Sequence, residues 1–238
     1  MRLIQLAVFI FLGFAAASYL YIKNQTAPLI VQGKEIRYVP IGDSYTIGEG
    51  VSSSESFPEL LTNHLRQSGY NVKLVVNPAQ SGWTTQDAID YELPIFIKSK
   101  PTFATLLIGA NDYVKGIDDG RFRNQIIYLI DHMLAVLPDR KSLIIITIPD
   151  YSVTRTGQEY GDAAVTSAGI ARFNTIIKEE AEKRGLPVVD IFTLTQGMKN
   201  DPSLVIQDNL HPSGKEYALW EKELYPEAVR LLQNQFKE

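Results

Sequence analysis

Three groups in this 238-residue chain have the types and order needed for nucleophilic attack on a carbonyl. Ser44, in Gly42-Asp43-Ser44-Tyr45-Thr46, carries a hydroxyl whose own pKa is far too high for it to ionise near neutrality, so it needs a neighbouring base. His211 is the candidate base, able to take that proton and return it to a leaving group. Asp208 precedes it by three residues. One turn of chain can then put the carboxylate on a ring nitrogen, set the tautomer and stabilise the imidazolium. Read alone, Asp208 equally fits a cap for a helix starting near Pro212, with His211 as an exposed loop residue. His64 and His132 lie inside helical patterns, away from strand ends, and read as structural or solvated.

The same chemistry needs N–H donors for the oxyanion of a tetrahedral intermediate. The candidates are the backbone amide of Ser44, the amide of Gly82, which has no side chain to keep a ligand away, and the side-chain amide of Asn111 in Gly109-Ala110-Asn111-Asp112. Taken singly, Gly82 reads as a turn glycine and Asn111 as a helix cap. Asp43 reads as a loop brace bonding backbone amides and Asp112 as a cap, and neither as the triad acid. Gly48 and Gly50 read as freedom for the loop after Ser44, since no phosphate-loop or dinucleotide pattern is present. With no cysteine, no H-E-x-x-H and three scattered histidines, no metal and no cofactor are expected.

The elements that must position these residues follow from hydrophobic pattern. Five apolar or β-branched runs, 36–41, 72–76, 103–108, 143–148 and 187–192, alternate with amphipathic helical patterns over 57–67, 85–97, 122–137 and 163–184. A last helix is expected from Pro212 or Ser213 towards Leu232, with Pro226 as a kink or break. Gly69 and Gly185 stand at helix C-termini, and Pro138 stops the third helix. The pattern predicts an α/β fold, a three-layer α/β/α sandwich around a doubly wound, mainly five-stranded parallel sheet. The run 143–148 does not alternate in polarity, as expected of a central strand covered on both faces. Ser44, Gly82, Asn111 and His211 each follow a strand, so the loops carrying them converge at the carboxyl edge of the sheet.

Ahead of this domain, assigned to 35–238, residues 3–22 contain no charged side chain, and 23–34 read as a linker. Two readings fit residues 1–22: a cleaved signal peptide ending near Ala15-Ala16-Ala17, or an uncleaved membrane anchor, towards which Tyr19-Leu20-Tyr21-Ile22 leans. Either predicts an exported catalytic domain. The net charge of −4 is spread along the chain without a Lys/Arg-rich run, so nucleic acid is not an expected partner.

In order, Gly42-Asp43-Ser44, the loop glycine Gly82, Gly109-Ala110-Asn111-Asp112 as G-x-N-D, and Asp208-Asn209-Leu210-His211-Pro212 as D-x-x-H-P resemble the four blocks of the SGNH hydrolase, or GDSL esterase/lipase, family. The resemblance covers nearly the whole domain. It implies Ser44 as nucleophile, His211 and Asp208 as base and orienter, and Ser44, Gly82 and Asn111 as the oxyanion hole. Tyr45 departs from the leucine usual at that motif position, which bears on the pocket wall rather than on the chemistry. An α/β-hydrolase is disfavoured, because no serine has glycine at both −2 and +2. The resemblance leaves the ester open among short-chain, carbohydrate-linked, lysophospholipid and thioester substrates, with acyl transfer or an inactive binding module as alternatives. The polar and aromatic segment 150–161 is expected to line or cover the site and to favour a short acyl group or a carbohydrate ester, with Trp83 and Tyr113 as an apolar wall.

Overall fold

The apolar runs become β1 (Gln32–Gly42), β2 (Tyr70–Leu74), β3 (Phe103–Leu107), β4 (Leu143–Ile146) and β5 (Val188–Val189) in the computed structural model, which describes residues 32–139 and 142–235. The leader expected over 1–22 lies outside the described residues, among which no helix is long and apolar enough to cross a membrane. All strand pairs are parallel, in the order β2-β1-β3-β4-β5. β3 and β4 are buried at every position, which is why their sequences show no alternation. β1 registers Tyr38 with Phe103 and Ile41 with Leu106, and the buried Tyr38 hydroxyl bonds Thr105 Oγ1 at 2.8 Å.

The connections supply α1 (Ser44–Ile47), α2 (Phe57–Gln67), α3 (Thr85–Asp87), α4 (Leu93–Ser99), α5 (Ala110–Val114), α6 (Asp119–Val136), α7 (Ala163–Glu182), α8 (Phe192–Thr195) and α9 (Gly214–Gln235). Gly69 and Gly185 end α2 and α7 in left-handed conformation, φ 92° and 64°, as their positions predict. The helix expected over 85–97 is not uniform. A π turn, Ala88–Glu92, separates α3 from α4, and the Leu93 N–H reaches back to the Ala88 carbonyl. Pro94, with no N–H to continue the ordinary register, supplies the physical reason. Pro226 does not break α9, whose buried Leu224, Ala228, Leu231 and Leu232 hold both halves against the core.

The strand order decides where a site can form. From β1 the chain winds outward to β2, then returns across to β3 on the other side, so the crevice at the carboxyl ends of β1 and β3 is the topological switch point. Ser44 leaves β1 there and Asn111 leaves β3. His64 is structural, its Nδ1 pairing with Glu221 Oε1 at 2.8 Å and its ring stacking on Tyr225 to tie α2 to α9, while His132 is exposed and bonds the Tyr128 carbonyl of its own helix.

Candidate active site

Ser44 opens α1, a single turn capped by the residue before it. Asp43 Oδ1 accepts the Tyr45 amide at 3.0 Å, and the Thr46 and Ile47 amides return to the Asp43 carbonyl. The Ser44 amide, first in the helix, is left uncommitted by these bonds. The turn closes at Gly48, φ 83°. Asp43 is therefore the brace that the sequence suggests, but a wholly buried one, and burial pushes its carboxyl up to about 7. Asp112 does cap a helix, though not its own: its Oδ2 accepts the Thr85 amide at 2.8 Å at the start of α3.

His211 sits on a short hairpin in which Val205 bridges Pro212 and the Ile206 amide bonds the His211 carbonyl. Asn209 takes a left-handed conformation, φ 58°, that asparagine tolerates better than most residues, and this folds Asp208 back on the ring. Asp208 Oδ2 accepts from His211 Nδ1 at 2.6 Å while Oδ1 accepts the Leu210 and His211 amides at 2.8 and 3.0 Å. Partial burial alone would raise the Asp208 carboxyl, but the bonds from the His211 ring and the two amides outweigh it and hold the group below its ordinary value. Thr156 fastens this hairpin to the segment after β4, its amide on the Asn209 carbonyl and its hydroxyl on the Asp208 carbonyl.

Ser44, Gly82, Asn111 and His211 line one cavity of about 180 Å³, together with Tyr45, Ser81, Ala110, Val114, Tyr151, Tyr160 and Leu210. Gly82 has φ 79°, a conformation that favours glycine, and a Cβ built on it would meet no protein atom within 4 Å. The Asn111 amide is partly committed, donating to the Trp83 carbonyl at 2.9 Å, with Asp43 Oδ2 at 3.4 Å. That second, long contact is the one a developing oxyanion can displace, since such bonds tighten only as charge forms. The expected wall is corrected. Trp83 packs at a tilt against Tyr91 and Tyr113 packs edge-on against Phe173, and the wall is instead built by Tyr45, Val114, Tyr151, Tyr160 and Leu210. Tyr45 is buried between the His211 ring, 5.5 Å away, and Trp220 at 6.1 Å, so the departure from leucine reaches the His211 ring. The segment 150–161 does line the cavity, through Tyr151 and Tyr160, which meet at a right angle 6.2 Å apart.

A sequence profile of the GDSL-like lipase/acylhydrolase family matches residues 41–219, the stretch carrying every residue discussed above as nucleophile, base, orienter or donor. No curated protein matches the chain. Solved structures with the same fold include a lipase/acylhydrolase from Enterococcus faecalis, 22% identical over 81% of this chain and 94% of its own, TM-score 0.64. A family 3 carbohydrate esterase from Clostridium thermocellum is 20% identical over 85% of this chain and 99% of its own, TM-score 0.66. An acetyl xylan esterase from Geobacillus stearothermophilus is 19% identical over 84% of this chain and 96% of its own, TM-score 0.63.

Proposed function

The chain belongs to the GDSL-like lipase/acylhydrolase family and is an ester-hydrolysing enzyme, and from that premise we propose a serine esterase in which Ser44 attacks the acyl carbon, His211 moves the proton and Asp208 orients the base. The observation that carries this reading is the single cavity into which Ser44, His211, Gly82 and Asn111 are gathered from four separate loops. Ser44 Oγ adds to the carbonyl as His211 Nε2 accepts its proton, and the carbonyl electron pair moves onto oxygen. The Ser44 and Gly82 amides and Asn111 Nδ2 receive that charge. Collapse of the intermediate breaks the bond to the alcohol oxygen, which takes the proton back from His211 and leaves an acyl-serine. Water then repeats the sequence with His211 as base, releasing the acid and restoring Ser44.

The ester we assign has a short acyl group on a hydrophilic alcohol. The cavity volume, about 180 Å³, is below the ~300–1,000 Å³ of pockets that enclose drug-sized ligands, so it suits an acyl chain of few carbons. The polar rim, with Ser81 and the exposed Tyr160, favours a carbohydrate over a lipid on the alcohol side. Two of the structural relatives are named for carbohydrate esters, in keeping with this reading. A panel of p-nitrophenyl acetate, butyrate and palmitate with acetylated oligosaccharides tests it. Acetyl esters should be hydrolysed with kcat/KM at least about tenfold above palmitate, a transition-state difference of about 1.4 kcal/mol. A preference for palmitate overturns the acyl assignment.

A further inference from the structure

The turn that presents Ser44 is anchored from behind by a residue the reaction never touches. Backbone groups alternate in direction along β1: the Arg37 carbonyl accepts from Thr102 on the β3 side, and the Tyr38 carbonyl accepts from Val75 on the β2 side. By the same alternation Pro40 and Gly42 face the β2 side, beyond Leu74, where β2 has ended. Pro40 has no N–H to satisfy there. Gly42 does, and a Glu92 carboxyl oxygen accepts it at 3.0 Å. Glu92 ends the π turn between α3 and α4, and such turns redirect the side chains that follow them relative to an unbroken helix. It is wholly buried, and its other oxygen has no partner among the described residues.

We propose that Glu92 is a positioning residue for the esterase reaction: delivered by the π turn, its carboxyl group holds the Gly42 amide and so fixes the angle at which the chain leaves the sheet to aim Ser44 into the cavity. This rests on the serine-esterase reading above. The opposite side of the exit has no slack, because a Cβ on Gly42 would lie 2.1 Å from Thr46 Oγ1 and 2.4 Å from the Leu107 carbonyl oxygen. Sterics set one side of the turn and Glu92 the other. Burial pushes the Glu92 carboxyl up to about 9 against the pull of the Gly42 bond, and Asp43 on the strand exit and Asp87 on its own helix add to the rise. The group is therefore an uncharged acceptor at neutral pH, and its ionisation would set an anion beside Asp43.

The test compares wild type, Glu92→Gln and Glu92→Ala in p-nitrophenyl acetate hydrolysis across neutral and alkaline pH, with fluorophosphonate labelling of Ser44 alongside. The glutamine keeps an acceptor of the same shape and should retain kcat within about twofold at neutral pH, while the alanine should lose about tenfold in kcat with little change in KM. Wild-type kcat should fall reversibly as pH rises through about 9, and the glutamine variant should not share that fall. The inference is overturned if glutamine loses as much as alanine, or if wild type and Glu92→Gln follow the same alkaline profile. If the alanine variant does not fold, the profile of the glutamine variant decides. Wild type that neither hydrolyses the ester nor labels at Ser44 overturns the esterase reading together with this one. Labelling at Ser44 with rates indifferent to Glu92 overturns this inference alone.

Discussion

Asp43 and Asp208 each stand next to a group assigned to the chemistry, and their surroundings push them in opposite directions. Asp43 is sealed beneath Ser44 and driven up to about 7 by burial. Asp208 is partly exposed and held below its ordinary value by the His211 ring and two backbone amides. An orienting carboxylate must be ionised to stabilise an imidazolium, so only Asp208 suits that part. Asp43 suits a different one, since it accepts the Tyr45 amide with one oxygen and stands 3.4 Å from Asn111 Nδ2 with the other, linking the turn that carries Ser44 to Asn111. Environment, rather than nearness to the nucleophile, separates the two roles.

That contrast breaks most readily at Asp208. Asp208→Asn should reduce kcat by about 10³–10⁴-fold through loss of the correct tautomer, as read by steady-state hydrolysis of p-nitrophenyl acetate. Asn111→Ala should cost about 10²–10³-fold in kcat by removing one oxyanion donor. Asp43→Asn keeps an acceptor for the Tyr45 amide and should cost no more than about tenfold, about the worth of one such hydrogen bond. If Asp43→Asn is the more damaging of the two aspartate changes, the roles assigned to them are reversed.

Stability against pH sharpens the same comparison. The folded value of Asp43 lies above its ordinary 3.8, so the native state keeps a proton that the unfolded chain sheds, and stability falls as pH rises from about 4 to about 7. Asp208 is depressed, so its contribution is full above its ordinary value and is lost as pH falls through the folded one. Thermal unfolding should therefore show Asp43→Asn gaining on wild type between about pH 4 and pH 7, and Asp208→Asn losing ground to wild type as pH rises from strongly acid to about 4 and no further above it. The smallest effect is expected for Tyr45→Leu, which changes the packing on His211 and should alter kcat/KM by a few-fold, about 1 kcal/mol or less.

What the sequence made legible was whatever is local or periodic. Asp208 and His211 are wired within one turn of chain, so their spacing allows the pairing, and the placement of His211 after a strand, at the same sheet edge as Ser44, favours it over a helix cap. Strands such as β3 and β4 show in uninterrupted apolar runs, and the placement of Ser44 and Asn111 at strand ends follows from them. What depends on distant partners was hidden. Periodicity does not say which aromatic on a loop turns inward, so the lining role of 150–161 is legible, while Trp83 and Tyr113, expected to add an apolar wall, are not among the residues that line the cavity. Pro94 is visible in the sequence, but the π turn before it becomes meaningful only once Glu92 is seen to meet an amide 50 residues earlier. Gly82 is legible as a loop glycine, but its left-handed backbone, φ 79°, is not.

The central claim is that Ser44 is a nucleophile activated by His211. Stoichiometric reaction with a fluorophosphonate, followed by peptide mass spectrometry, tests it most directly. One adduct per chain on the peptide containing Ser44, absent in Ser44→Ala and formed at least about 10²-fold more slowly in His211→Ala, is the predicted result. No adduct, an adduct on another serine, or labelling indifferent to His211 would contradict it.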